Sequence, residues 1–159
     1  AGAFGGRADI MAHYDPREKG HFVHNGTFNN NVLTLAGGAA GLEKVYTPEA
    51  AAALTAEGEA LRARLNALGE KHGLPFQATG YGSLMNIHFV DGELRSHKDL
   101  AGRNLIALDL FHLEMIAAGI YITRRGYMAL SLALTEDDHD YLIGKVDEFL
   151  ATYGKLIAP

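Results

Sequence analysis

Leucines spaced along the middle of the chain predict one long helix. Thr47 has the position of an N-cap and Pro48 that of a first helical residue, while Gly73 is placed to end the helix. The apolar positions between them are Leu54, Leu61, Leu65 and Leu68. This spacing brings the leucines to one side of a helix of 3.6 residues per turn. The pattern therefore predicts a helix from Pro48 to just before Gly73, with one buried face.

A second helix is predicted before it, from about Val32 to Val45. It contains three glycines, each of which lowers the intrinsic helix propensity by roughly 1 kcal/mol. Small residues in a helix indicate close packing against a neighbour. We expect the first 45 residues to expose apolar surface at Phe4, Ile10, Phe22 and Leu33, which a partner would normally cover.

Beyond residue 75, short apolar runs alternate with helical patterns. Strands are predicted at 76–79, 84–90, 120–123 and 128–134, and a helix at 99–118. Thr135 to Asp138 has the form of a capping box that opens a last helix, with the apolar stripe Leu142, Val146, Phe149, Leu150 and Tyr153. The order β-β-α-β-β-α predicts a small α+β sandwich. The first half contains no comparable sheet and resembles part of a larger layer.

Composition narrows the function classes. The 159 residues are 48% hydrophobic and 21% charged, as in ordinary globular proteins. A net charge of -5 argues against a large nucleic-acid footprint, and no apolar run has the roughly 20 residues that a membrane span needs. The chain has no cysteine. That excludes disulfides and thiolate metal sites and is compatible with a cytoplasmic location.

Histidines and serines give no clear catalytic motif. His21 and His24 are three residues apart, but no third ligand follows at a helical offset, so we predict no metal site. His88 and His112 are expected to be hydrogen-bonded core or interface residues. The serines lack a recognisable base partner, which leaves a hydrolase unsupported.

The polar segment from His24 to Asn31 is a candidate anion site. If the next helix begins near Asn30 or Asn31, its free N–H groups lie beside the Gly26 backbone and the Thr27 hydroxyl. Such a cradle is suited to a phosphate. The alternative is a plain asparagine-rich N-cap, which sequence physics alone favours.

Two adjacent arginines, Arg124 and Arg125, precede Gly126 in a predicted turn between strands. A guanidinium group binds a carboxylate through two parallel hydrogen bonds. A solvated turn explains the same spacing equally well, so both interpretations stay open.

Four segments together resemble a known family. In order, they are AGAFGGRADIM, HNGTFNNNVLTLAGGAAGLEKV, TGYGSLMNIHF and GIYITRRGYMALSLALTEDD. Their order and spacing resemble the C-terminal portion of class III, fold-type-I pyridoxal-phosphate-dependent aminotransferases, and most of all glutamate-1-semialdehyde aminomutase and its aminotransferase-like relatives. The resemblance implies an α/β and α+β architecture. Residues 1–45 would end the large cofactor-binding domain, 46–74 would form the connecting helix, and 75–159 would form the small α+β domain.

The resemblance also implies a site. The cofactor would be pyridoxal 5'-phosphate, the substrate a small amino acid or amine, and the enzyme a homodimer with shared active sites. In that family the turn matching Gly26 and Thr27 contacts the cofactor phosphate of the neighbouring subunit. The substrate carboxylate is assigned to Arg125.

The family's Schiff-base lysine lies shortly before the segment matching AGAFGG, and none of the six lysines of this chain has its position. We therefore expect that lysine before Ala1, and a chain that is inactive alone. The alternative is a free-standing α+β binding or interaction module without catalytic activity.

Two departures from the family pattern affect the expected activity. Asn30 and Val32 stand where glycine and proline are usual, which leaves Thr27 and Asn31 as the matches in that turn. The glutamate that the aminomutase places in the segment matching Gly126 to Leu130 is missing. The second difference favours a transaminase over a true aminomutase.

Overall fold

The computed structural model describes residues 2–29 and 31–158. The chain divides into two compact units, Ala1–Pro48 and Glu49–Pro159, which we call the N-terminal and C-terminal units. Asn30, at which the sequence allowed the next helix to begin, lies outside the described residues. Within the described part of the chain, no helix has both the length and the apolar character needed to cross a bilayer.

The N-terminal unit is built from helices and turns. Helix α1 spans Ala8–Met11 and runs into a 3-10 turn, Ala12–Tyr14, while α2 spans Val32–Lys44. The predicted second helix is thereby confirmed. Ring edges of Phe4, Tyr14 and His24 contact one another, with Phe4 5.1 Å from Tyr14 and 4.9 Å from His24 between centroids.

Apolar side chains of this unit are exposed, as the sequence predicts. Phe4, Ile10 and Phe22 are each more than half exposed, and Leu33 on α2 is 83% exposed. None of the described residues of α2 is buried. Helix α2 therefore presents its apolar side chains without cover from its own unit.

The C-terminal unit contains the core. Helix α3 spans Pro48–His72 and, as predicted, buries all four of its spaced leucines. Gly73 follows with φ +61, the left-handed conformation that ends a helix at low cost for glycine. Strands β1 (Phe76–Tyr81), β2 (Leu84–Phe89) and β3 (Tyr127–Ala129) form one antiparallel sheet in that order.

Three helices pack with this sheet. Helices α4 (Leu105–Ala117) and α5 (Glu136–Ile157) contribute, with α3, to one cluster of buried apolar side chains. At its centre, the ring of Phe111 lies 5.2 Å from Phe149 and 5.8 Å from Phe89. The predicted capping box of α5 is confirmed, because Thr135 and Asp138 bond each other's backbone N–H groups.

One of the predicted strands is wrong, and another is longer than the strand observed. Residues 120–123 form no strand, since the Ile120 N–H donates to Met115 O and Ile122 O accepts from His112 Nδ1, which hold this segment to α4. The run 128–134 pairs with β2 only at its start. The unit therefore has a three-stranded sheet, and its strands and α-helices beyond α3 follow the order β-β-α-β-α.

The helix predicted at 99–118 begins later than expected. Ser96 and Asp99 form a capping box on a short 3-10 helix, His97–Leu100. Asn104 then caps α4 by accepting from the Ala107 N–H at 2.9 Å. The caps at Ser96 and Asn104 thus divide the region of the predicted helix into two separate helical elements.

Helix α3 touches the β1–β2 hairpin through its backbone. A Cβ atom added at Gly58 would lie 2.0 Å from Gly82 O. Nearby, Glu59 Oε1 accepts from the Gly82 N–H at 2.8 Å, and the Asn66 amide bonds both N–H and C=O of Ala78. The small residue at position 58 thus sets the distance between helix and hairpin.

We expect Gly58→Ala to destabilise the chain by roughly 1–3 kcal/mol, because the added methyl group forces helix and hairpin apart. Gly144→Ala is the matched control, since nothing lies within 4 Å of a Cβ there. Helix propensity alone then stabilises the control by about 1 kcal/mol. Urea unfolding followed by circular dichroism measures both. Equal effects of the same sign would contradict this packing.

Candidate functional sites

The turn that contains the predicted cofactor residues is closed by backbone hydrogen bonds. The Asn29 N–H donates to Gly26 O at 2.9 Å, and the Asn31 N–H donates to Phe28 O at 3.2 Å. A Cβ at Gly26 would lie 2.8 Å from Asn29 Oδ1, so the turn requires a glycine there or a shift of that amide. This turn leads directly into α2.

Asn31, not Thr27, caps helix α2. Its Oδ1 accepts from the Thr34 N–H at 3.0 Å. The Thr27 side chain is exposed and makes no hydrogen bond within the described residues. The asparagine N-cap predicted as an alternative therefore exists, and it leaves the Thr27 hydroxyl available for another partner. A shallow pocket of about 250 Å³ beside the turn is lined by Asn29, Asn31 and Thr34 among others, but not by Thr27.

The histidines of this unit form no metal centre. His21 Nδ1 lies 2.9 Å from Glu18 O, and His24 packs against Phe4. Among the residues that the structure describes, no group of three or more His, Cys, Asp or Glu side chains is arranged to hold a metal ion.

In the C-terminal unit, a cavity of about 540 Å³ is lined by both candidate arginines, Arg124 and Arg125, and by other charged residues. Its lining comes from β2, from the loop before α4, from the first turns of α4 and from the turn before β3. The lining residues are Asn86, His88, His97, Leu100, Arg103, Leu105, Leu108, Asp109, Arg124 and Arg125. Arg103, from the loop before α4, thus lines the same cavity as Arg124 and Arg125, from the turn before β3.

The turn that carries Arg124 and Arg125 is tightly fixed. The Gly126 N–H donates to Thr123 O at 2.8 Å, and Thr123 Oγ1 donates to Tyr127 O at 3.0 Å. Gly126 has φ +81, and a Cβ there would lie 2.5 Å from Ile87 O. A glycine is therefore required for the turn to lie directly on β2, and it fixes the backbone of both arginines.

The two arginines differ in their partners. Arg124 makes a bidentate ion pair with Asp109, at 2.7 and 2.6 Å, and these hydrogen bonds lower the pKa of the Asp109 carboxyl. Arg125 is exposed and makes no side-chain hydrogen bond or ion pair within the described residues. Of these two arginines, Arg125 is therefore the one whose guanidinium is free to bind a ligand.

His88 and His112 are structural, as the sequence predicts. His88 is 6% exposed, and its Nε2 lies 2.8 Å from Thr79 Oγ1 on the neighbouring strand. Burial, and then the charge of Arg103, lower the pKa of His88, which favours a neutral ring. His112 bonds Ile122 O at 2.7 Å.

Sequence reasoning missed Arg103 and Asp109 as cavity residues. They lie 21 and 15 positions before Arg124, on a loop and on α4, so no local pattern connects them with it. Asn104 could have indicated from the sequence where α4 begins. An asparagine directly before an apolar run is a common helix N-cap, and here it brings the first turn of α4 to the cavity.

Comparison with known proteins shows which enzymes the chain is similar to. No family model matches the chain. Over 156 residues the chain is 51% identical to the β-phenylalanine transaminase of Variovorax paradoxus, an alignment that covers 98% of this chain and 36% of that enzyme. A solved structure of the β-phenylalanine aminotransferase from the same organism superposes with a TM-score of 0.90 over 96% of this chain and 35% of that one.

The chain is homologous to the C-terminal portion of class III pyridoxal-phosphate-dependent aminotransferases. An ω-transaminase from Sphaerobacter thermophilus superposes with a TM-score of 0.77 at 27% identity, over 92% of this chain and 34% of that one. Glutamate-1-semialdehyde 2,1-aminomutase 1 of Bacillus cereus is 30% identical, over 87% of this chain and 32% of the enzyme. The chain spans about a third of the length of these curated relatives.

These class III relatives confirm the fold-type-I assignment made from the sequence. They do not favour the free-standing interaction module. Identity to the transaminase exceeds identity to the aminomutase, 51% against 30%. The higher identity to the transaminase agrees with the absence, after Gly126, of the glutamate that the aminomutase has in this segment.

Proposed function

We propose that this chain forms the C-terminal part of a pyridoxal-phosphate-dependent aminotransferase whose substrate is a small amino acid. The observation that supports the proposal most is the similarity to the Variovorax paradoxus transaminase along 98% of the chain. The proposed domain division follows the family: 1–45 ends the large domain, 46–74 connects, and 75–159 forms the small domain. We also propose that the enzyme is cytoplasmic.

The residues of the Gly26 turn fit a phosphate group. Thr27 supplies a hydroxyl that has no hydrogen-bond partner among the described residues, and Gly26 allows close backbone approach. Asn31 starts α2, whose N-terminal end carries partial positive charge. We assign Gly26 and Thr27 to the cofactor phosphate. When bound, the cofactor supplies the electron sink that amino-group transfer needs.

The same assignment calls for two copies of the subunit. In the family that this chain resembles, the Thr27 turn reaches the cofactor of the neighbouring subunit. The uncovered apolar side chains of the N-terminal unit, Leu33 and Phe22 among them, support a surface that is buried in the assembled enzyme. We therefore propose a homodimer with shared active sites.

The Schiff-base lysine is assigned to a part of the enzyme other than this chain. Lys71 and Lys145 are held by Asp147 and Glu148, and the other four lysines are exposed. What this chain contributes on the substrate side is Arg125. Its unpaired guanidinium binds the substrate carboxylate and thereby orients the amino acid, while Arg124 is retained by Asp109.

A chimeric enzyme gives the test protein. In it, residues 1–159 replace the matching C-terminal 36% of the Variovorax paradoxus β-phenylalanine transaminase. The remainder of that enzyme then supplies the residues that this chain lacks. Cofactor content is read from the visible absorbance of the protein-bound cofactor.

We expect Thr27→Ala in the chimera to weaken cofactor binding about tenfold to hundredfold, because a hydrogen bond to a charged phosphate is worth about 1.5–3 kcal/mol. Thr27→Ser keeps the hydroxyl and should bind nearly as the unsubstituted chimera does. Melting without cofactor should not change in either variant, since Asn31 caps α2. Titration of both apo-variants with the cofactor measures the effect. Equal affinity of Thr27→Ala and the unsubstituted chimera would end the phosphate assignment.

A further inference from the structure

We propose that Asn25 is a site of spontaneous covalent modification, at which its side-chain amide closes on the Gly26 nitrogen and is converted to a carboxylate that weakens anion binding by the adjoining turn. The effect on binding rests on the proposed function in one respect, that Gly26 and Thr27 hold the cofactor phosphate. The modification itself requires no cofactor and no second subunit.

The reaction needs only the Asn25–Gly26 dipeptide and water. The Gly26 nitrogen loses its proton and forms a bond to Cγ of Asn25, and the Cγ–Nδ2 bond breaks to release ammonia. The product is a five-membered cyclic imide. Water then opens the imide at either carbonyl, which gives aspartate or isoaspartate, and nothing is oxidised or reduced. In the isoaspartate product the main chain runs through the side chain and is one methylene longer.

Asn25 has the least hindered neighbour of any asparagine in the sequence. There are seven asparagines, and Asn25 is the one that glycine follows. A Cβ atom on the following residue crowds the approach of its nitrogen to the asparagine side chain, and glycine has none. The turn itself favours this glycine, because a Cβ there would lie 2.8 Å from Asn29 Oδ1. The reactive dipeptide is thus part of how the turn is built.

The structure leaves both reacting groups accessible. Asn25 and Gly26 are exposed and lie outside helices and strands. Neither the Asn25 side chain nor the Gly26 N–H makes a hydrogen bond within the described part of the chain. The turn starts at the Gly26 carbonyl, which accepts from the Asn29 N–H. Bringing Cγ onto the nitrogen therefore breaks no hydrogen bond among the described residues.

Other asparagine side chains are held by backbone groups. Asn31 and Asn104 each accept from the N–H three residues later, at 3.0 and 2.9 Å, and Asn66 bonds both the N–H and the C=O of Ala78. Each of these side chains would have to lose its hydrogen bonds to react. They are internal controls within the same molecule.

The modification places a negative charge directly before the proposed phosphate site. A carboxylate repels a phosphate close to it, and salt screens that repulsion. Isoaspartate also lengthens the main chain immediately before Gly26. Both products therefore weaken the binding of a phosphate by Gly26 and Thr27.

The modification is tested on the folded 159-residue chain, incubated over several days at mildly alkaline pH beside a synthetic peptide of residues 21–28. Tandem mass spectrometry locates the gain of one dalton that conversion of an amide to a carboxylate produces. We expect Asn25 in the folded chain to react at a rate close to that of the peptide, while Asn31, Asn66 and Asn104 stay unchanged. Asn25→Gln should abolish the gain at this position. If Asn25 stays unchanged in the folded chain while the peptide reacts, the inference is overturned and the proposed function is unaffected.

The effect on binding is tested by cofactor titration of the chimera with Asn25→Asp, which carries the charge of the product. Its affinity should be about tenfold lower than that of the unsubstituted chimera at low salt, and high salt should reduce the difference. Asn25→Gln is uncharged and should bind as the unsubstituted chimera does. If Asn25→Asp binds equally well while Thr27→Ala weakens binding, the effect of the modification is overturned and the phosphate assignment remains. If neither variant weakens binding, the phosphate assignment fails together with that effect.

Discussion

Replacing Arg125 by glutamine in the chimera should raise the KM for a β-amino acid substrate about tenfold to hundredfold. The removed interaction is a charge-assisted hydrogen bond pair, worth about 1.5–3 kcal/mol. Arg124 is not expected to substitute for it, because its Nε and Nη2 donate to the Asp109 carboxylate at 2.7 and 2.6 Å and keep the guanidinium beside Asp109. Arg125→Lys should also raise the KM, since an ammonium group cannot reproduce the planar fork.

Steady-state kinetics at several substrate concentrations separate binding from turnover. Arg95→Gln is the charge-matched control, and it should leave both kcat and KM as in the unsubstituted chimera. An unchanged KM for Arg125→Gln would relegate this side chain to the solvated surface. That result would revive the solvated-turn interpretation of residues 124 to 126.

Phe111→Ala should destabilise the chain by roughly 3–5 kcal/mol, the cost of a large cavity in a packed aromatic core. Phe111 is fully buried, and its ring contacts the rings of Phe76, Phe89 and Phe149. One side chain thus joins α4 to two strands and to α5.

Leu113→Ala is the control on the same helix. Leu113 is 63% exposed, so its truncation should change the unfolding free energy by no more than about 0.5 kcal/mol. Urea unfolding monitored by circular dichroism measures both. Should Phe111→Ala prevent folding altogether, Phe111→Leu retains most of the volume and should give a smaller loss. A loss below about 1 kcal/mol for Phe111→Ala would contradict the described core.

Helix ends with strong local signals were predictable from the sequence. Pro48 and Gly73 mark the ends of α3, and the Thr135 box opens α5, because caps and helix-stop residues act on backbone groups a few positions away. The strand predicted at 120–123 failed for the opposite reason. The Ile120 N–H donates to Met115 O, and Ile122 O accepts from the His112 side chain, both on α4. Apolar periodicity does not show a pairing between a strand-like run and a helix.

The candidate site residues likewise divide into those with a local sequence signal and those whose contacts depend on distant parts of the chain. Gly26 and Thr27 were proposed from a local turn pattern and a family resemblance. The difference between Arg124 and Arg125 was not predictable, because it depends on Asp109, fifteen residues earlier on a helix. Arg103 enters the cavity through the late start of α4 at Asn104, a boundary that the sequence prediction placed at residue 99.

Transamination by the unsubstituted chimera tests the central claim most directly. If residues 1–159 form the C-terminal part of an aminotransferase, the chimera should retain the visible absorbance of bound cofactor and convert β-phenylalanine in the presence of a keto-acid acceptor. Circular dichroism and melting establish that it is folded. A folded chimera that binds the cofactor and transfers the amino group is the predicted result. A folded chimera that neither retains cofactor nor turns over substrate would contradict the account.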